Sequence, residues 1–287
     1  MLNNLRQQIE HSIDYMQFLK WIIYTLLLVN FAYYFFEDSN AAQHTLNPDF
    51  SLLEWAGAYA TSFDELAWFT LLFIFELETY WLEDDFENRL VTWTLQGLRV
   101  ICYALVLHTT YAYSVYALDL ADAVPLLGTE SVCQLTGQDL SFLRNLTYTA
   151  IELENCAELS LGGELFRLIR EPVVTDTAGL AQMKGLAWAD VAESASWLVI
   201  VLLIEFAVQI QNAGVYKGTL ISRSNFLKWF LYAVISGIAI YWAQLGHYIY
   251  TLDEFLWIAG FAALDLNLSE WRDELQSSAD TQDSQTH

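Results

Sequence analysis

Long apolar runs constrain this chain more than any other feature. Residues 19–36, 66–82, 100–118, 197–210 and 226–250 are predominantly apolar, and a helix needs about 20 such residues, with about 17 the lower limit, to cross a bilayer. The third and fifth runs meet that length comfortably, and the first meets it. The second reaches it only with Glu76 and Glu78 admitted, and the fourth by borrowing Ala195, Ser196 and Gln211. A sixth run, 255–264, is short for a span. Only 16% of the residues are charged, against about a quarter in soluble domains. Trp21, Trp81, Trp93, Tyr111, Tyr113, Tyr116 and Trp229 stand near run ends, where amphipathic rings settle at a membrane interface. The pattern predicts an all-α integral membrane protein with five or six transmembrane helices.

Basic residues set the expected orientation. Arg6 and Lys20 precede the first run, Arg89 and Arg99 follow the second, and Lys217, Arg223 and Lys228 follow the fourth, whereas 37–65 contains no Lys or Arg. Cytoplasmic loops carry the excess of basic residues, so the N-terminus is expected in the cytoplasm and the long segment 119–194 outside it. The polar residues of 1–17 and the lack of a small-residue cleavage site after the first run argue for a retained anchor, and a bacterial inner membrane is the expected location. Segment 119–194 has twelve Asp and Glu against four Lys and Arg, a net of −8. The whole chain carries −23, which excludes nucleic acid as a partner. Cys133 and Cys156 both fall in the exported segment, where a disulfide is permitted.

A self-similarity runs through the chain at a constant offset of 129 residues, placing 58–104 over 187–233. Ala58 matches Ala187, Trp68 matches Trp197, Glu76 matches Glu205 and Tyr103 matches Tyr232, while Asp64 with Glu193 and Arg99 with Lys228 are conservative matches. This reads as a parallel duplication of a helical hairpin. The organisation that follows is a cytoplasmic segment 1–17, membrane helices 18–118 with the first hairpin, an extracytoplasmic helical loop domain 119–194, a second hairpin with a short last helix 195–268, and a disordered polar tail 269–287. Within the loop domain, Asp139 is expected to cap a helix through about Leu161, with Leu143, Leu146, Ala150, Leu153 and Ala157 on one face.

Glu76 and Glu205 are the leading candidates for chemistry, since a carboxylate inside a bilayer needs a partner or a watery cavity. Arg99 lies 23 residues after Glu76, and Lys228 lies 23 residues after Glu205. Each hairpin is therefore expected to close on its own acid–base pair, either as a relay or as a structural clamp. Asp64 and Glu65 are read as solvated charges at the outer end of the second span, favoured by the helix dipole. His108 lies mid-span as a hydrogen-bonded core residue or an ion-pathway candidate. Bis-histidine haem ligation by His108 and His247 is excluded, because the two lie about 15 Å apart in depth. Asn145 and Asn267 open glycosylation triplets. The chain has no HExxH, Walker or GxSxG motif and no spaced metal ligands, so no cofactor, metal or catalytic residue is assigned and an enzyme is disfavoured. Two functional classes stay open. One is a cation or proton channel or transporter using Glu76–Arg99 and Glu205–Lys228. The other is a non-catalytic membrane subunit or assembly scaffold, homo-oligomeric or bound to a partner membrane protein.

Overall fold

The structure is a computed structural model. It describes residues 2–46, 51–80, 89–160, 162–212 and 218–261, without the side chains of 2–17, 19, 20, 76, 78–80, 208, 211 and 212. Long helices form one part: α1 (Leu2–Thr45), the short α2 (Leu52–Ala58), α3 (Ala60–Tyr80) and α4 (Arg89–Ala121). After a sheet region, α6 (Thr177–Asn212) and α7 (Thr219–Gln244) return to the bundle, followed by a helical segment 248–261. The described residues end in that segment, and the expected disordered tail 269–287 lies outside them.

Three helices are long and apolar enough to cross a membrane among the described residues: α4, α6 as far as Ala207, and α7. The expectation of five or six spans in an all-α protein is therefore wrong. α3 has 21 residues and carries Asp64, Glu65, Glu76 and Glu78, which spoils its apolar character. In α1 the apolar run is interrupted by Asn30 and ended by Glu37 and Asp38. α3 packs on α4, α4 on α6, and α6 on α7, with α1 alongside α3. Their shared core contains Leu27, Val106, Ile200, Ile235 and three tryptophans, Trp68, Trp197 and Trp257.

The expected helical cap is a mixed five-stranded sheet. Its strands are β1 (Val124–Pro125), β2 (Ser141–Arg144), β3 (Thr147–Ala150), β4 (Leu165–Arg167) and β5 (Val173–Asp176), in the order β1-β4-β5-β2-β3. β2 runs parallel to β5, and the other pairs are antiparallel. The predicted 139–161 helix is replaced by a β2–β3 hairpin and a single helical turn, α5 (Cys156–Leu159). Asn145 and Leu146 form the hairpin's two-residue loop, both at positive φ, 49° and 62°. That backbone matches the right-handed twist of paired strands, and Thr147, Tyr148 and Thr149 favour the extended state. Strand pairing buries Phe142 and Leu143 on opposite faces, so leucines at helical spacing lie on two different surfaces. The domain is narrower than expected too, because α4 extends to Ala121 and α6 begins at Thr177. A disulfide joins Cys133 to Cys156, with Cα atoms 4.8 Å apart.

Side-chain contacts fasten the sheet to the bundle. His44 at the end of α1 bonds Ser141 at 2.8 Å and stacks on Tyr148. Asn145 donates to the Leu245 carbonyl and accepts from Gln182 and His247. Both amide atoms of Asn145 are thus engaged in the fold, which removes it as a glycosylation acceptor in the folded chain. Asp176 accepts from the Gly179 N–H at 2.6 Å, satisfying one of the open donors in the first turn of α6.

Candidate functional site

A small cavity lies in the bundle beneath the sheet, and acids from three segments line it. Asp64 and Glu65 come from α3, Glu193 from α6, and Glu254 from the 248–261 segment. Trp68, Trp197, Trp257 and Phe261 also line it, and among the described residues no Lys, Arg or His does. Glu65, Glu193 and Glu254 are less than a tenth exposed. The expectation that Asp64 and Glu65 are solvated at a helix end is therefore overturned. α3 starts level with the middle of α6, so its first turns are covered by neighbouring helices rather than by water. Glu193 lies five residues past the exposed Trp188, about 7.5 Å of helix rise below it.

Hydrogen bonds tie the acids to the aromatic wall. Trp68 donates its indole N–H to Asp64 Oδ2 at 3.0 Å, and Trp197 donates to Glu254 Oε2 at 3.0 Å. The Trp68 and Trp197 rings stand 6.2 Å apart, with Phe261 against both. Asp253, beside Glu254, accepts from Asn30 at 2.8 Å and from the Tyr34 hydroxyl at 3.3 Å. The Glu65 carboxyl lies close to that of Asp253, and the Glu193 carboxyl close to that of Glu254. Two atoms at the cavity stay unsatisfied among the described residues: Asp64 Oδ1 and the Trp257 Nε1–H.

A line of hydroxyl and carboxyl groups leads from the cavity toward the sheet side. Asp253 meets Tyr34, the Tyr34 ring lies 5.3 Å from that of Tyr250, and the Tyr250 hydroxyl donates to half-buried Glu37. In the opposite direction the wall is apolar, with Ala67, Val106, Ile200 and Ile235 packed below the tryptophans. The next polar layer contains Glu205, twelve residues beyond Glu193, about 18 Å along α6.

The sequence-derived candidates belong to that lower layer. Glu205 accepts from the Tyr103 hydroxyl at 2.8 Å, a contact that joins the two hairpins. Arg99 acts electrostatically on the same hydroxyl. Lys228 is buried on α7. The Glu76 side chain lies outside the described residues. His108 is on α4, with its Nε2 buried and no partner among the described residues and its ring 6.3 Å from that of Tyr111.

The cavity acids were missed as a site, although a signal for them was present. Asp64 and Glu193 each stand four residues before a tryptophan, and the 129-residue offset aligns both the acids and the tryptophans. Those two aligned pairs are the ones that face one another across the cavity. Comparison with known proteins returns no match for this chain, whether among protein-family models, curated proteins or solved structures.

Proposed function

We propose that the chain is a membrane protein in which α4, α6 and α7 cross the bilayer, and that it moves protons or another small cation through the acid-lined cavity. What carries the reading is the convergence of four carboxyl groups on one small cavity with no basic residue in its wall among the described residues. A buried charge is costly unless it is paired or neutralised by a proton. Intramembrane acids of this kind mark ion or proton pathways more often than structural joints. The apolar layer beneath the cavity then serves as the barrier, and Glu205 with Tyr103 as the next station. In this reading Arg99, Glu205 and Lys228 belong to the cytoplasmic half, and the disulfide-bonded sheet faces an oxidising exterior. The order of basic residues along the chain supports that orientation.

The test is flux into liposomes holding the purified protein, driven by a pH gradient or a membrane potential. Removing a relay acid costs roughly 100-fold in proton transfer. Asp64→Asn and Glu193→Gln are expected to abolish most of the flux while leaving the circular dichroism of the protein unchanged. Undiminished flux in both variants would refute the cavity as the pathway.

A further inference from the structure

The cavity holds two unsatisfied polar atoms of opposite kind. Trp257 is 7% exposed, and its Nε1–H is buried without an acceptor among the described residues. Asp64 Oδ1 is buried without a donor. Both residues line the same space. Buried polar groups in folded proteins are matched by protein or by ordered water, so a donor and an acceptor facing one cavity define what complements them. The complement must accept from an indole N–H and donate to a carboxylate.

Size narrows the choice. The space accommodates the centre of a water-sized sphere over about 20 Å³, and one water needs about 10–15 Å³ on that measure. A hydrated metal ion or a substituted ammonium does not fit. Among the described residues no group of three or more His, Cys, Asp or Glu side chains is arranged to hold a metal ion. Polarity narrows it further. The carboxyl groups and the ring faces of Trp68 and Trp197 favour positive charge, but the Trp257 N–H turns the positive end of its dipole inward. A bare cation has no lone pair to offer that N–H, whereas a water accepts the bond.

We infer that the ligand of this cavity is the proton, held through one water that bridges Trp257 Nε1–H and Asp64 Oδ1 and connects the Glu65–Asp253 pair to the Glu193–Glu254 pair. The inference rests on the transport reading above and names its species. In each transfer the water receives a proton from a carboxylic acid on one side and gives one of its own to a carboxylate on the other. One O–H bond forms on the water as another breaks, and the water ends uncharged. No oxidant, reductant or metal takes part. The repeat relation puts Asp64 and Glu193 at matched positions of the two hairpins, so the water sits where the two copies meet.

Infrared spectra of the protein in lipid at neutral pH, in H₂O and D₂O, read the occupant without relying on flux. The expected result is a deuterium-sensitive carbonyl band of protonated carboxyl groups that is the same in sodium and in choline chloride. That band shifts in Trp257→Phe and loses intensity in Glu65→Gln, which supplies the same readout should Trp257→Phe fail to fold. Absence of the band, or its loss on adding sodium, overturns the inference. Liposome flux measured in parallel separates the two readings. Flux equal in sodium and choline media and about 10-fold lower in Trp257→Phe supports both. Flux that requires sodium overturns the proton as the species. The band without any flux overturns transport and keeps the proton site.

Discussion

Glu171 gives the sharpest quantitative prediction, because it lies outside the three helices apolar enough to cross a membrane and in a defined environment. It sits between β4 and β5, facing a cavity shared with Tyr116, Asp119 and Leu120 of α4. Its Oε2 is buried with no partner among the described residues, while the adjacent Arg170 turns to Asp119 at 3.2 Å. Burial, helped by the Asp119 charge, pushes the Glu171 carboxyl from its ordinary value of 4.5 up to about 7. The unfolded chain releases this proton near pH 4.5, whereas the folded chain holds it to about 7. Its contribution to stability is therefore fully present below pH 4.5 and is lost as the pH rises through 7. At 1.36 kcal/mol per pH unit, the loss reaches about 3 kcal/mol. Glu171→Gln stays neutral and should be more stable than the parent by up to about 3 kcal/mol at pH 8, with no difference below pH 4.5. Urea unfolding in mild detergent, followed by far-ultraviolet circular dichroism across that range, measures the difference. Identical pH dependence in parent and variant would refute the reasoning.

Other outcomes follow from single contacts. The Cys133–Cys156 bridge spans 23 residues, so reducing it should cost the sheet about 3 kcal/mol. Reductant should then leave the Cys133→Ala/Cys156→Ala protein unaffected in urea unfolding, and a parent equally indifferent to reductant would contradict this. A Cβ on Gly185 would stand 2.7 Å from the Tyr241 hydroxyl oxygen. Gly185→Ala should therefore destabilise by about 1–3 kcal/mol, and by clearly less in a Tyr241→Phe background, as thermal unfolding will show. Tyr250→Phe and Glu37→Gln interrupt the hydroxyl line toward the sheet side, and each should slow proton uptake by about 10-fold. Unchanged uptake in both would place the outer access elsewhere.

Apolar runs were legible in the sequence wherever their charges were few. Runs 100–118, 197–210 and 226–250 became the cores of α4, α6 and α7. The sheet region was misread because leucine spacing in 139–161 imitates a helix. Asn145-Leu146 hides a hairpin turn that would be plain with glycine in second place. The site itself was half legible. The offset of 129 residues aligned Asp64 with Glu193 and Trp68 with Trp197, yet a position near a helix start suggested solvation for Asp64. Nothing local in the chain says that α6 continues far above that level and covers it. Asp253 and Glu254 lie just before a run too short to count as a span, and only tertiary packing brings Glu254 to the cavity and Asp253 to Asn30.

The cavity's role is tested most directly by labelling with an apolar carbodiimide, which reacts with protonated carboxyl groups in a non-aqueous setting, while proton flux is followed in the same liposomes. The account predicts that peptide mapping finds the label on Asp64, Glu65, Glu193 or Glu254, and that flux falls in proportion to it. Label confined to the exposed acids of the sheet, or a labelled cavity with flux intact, would contradict it.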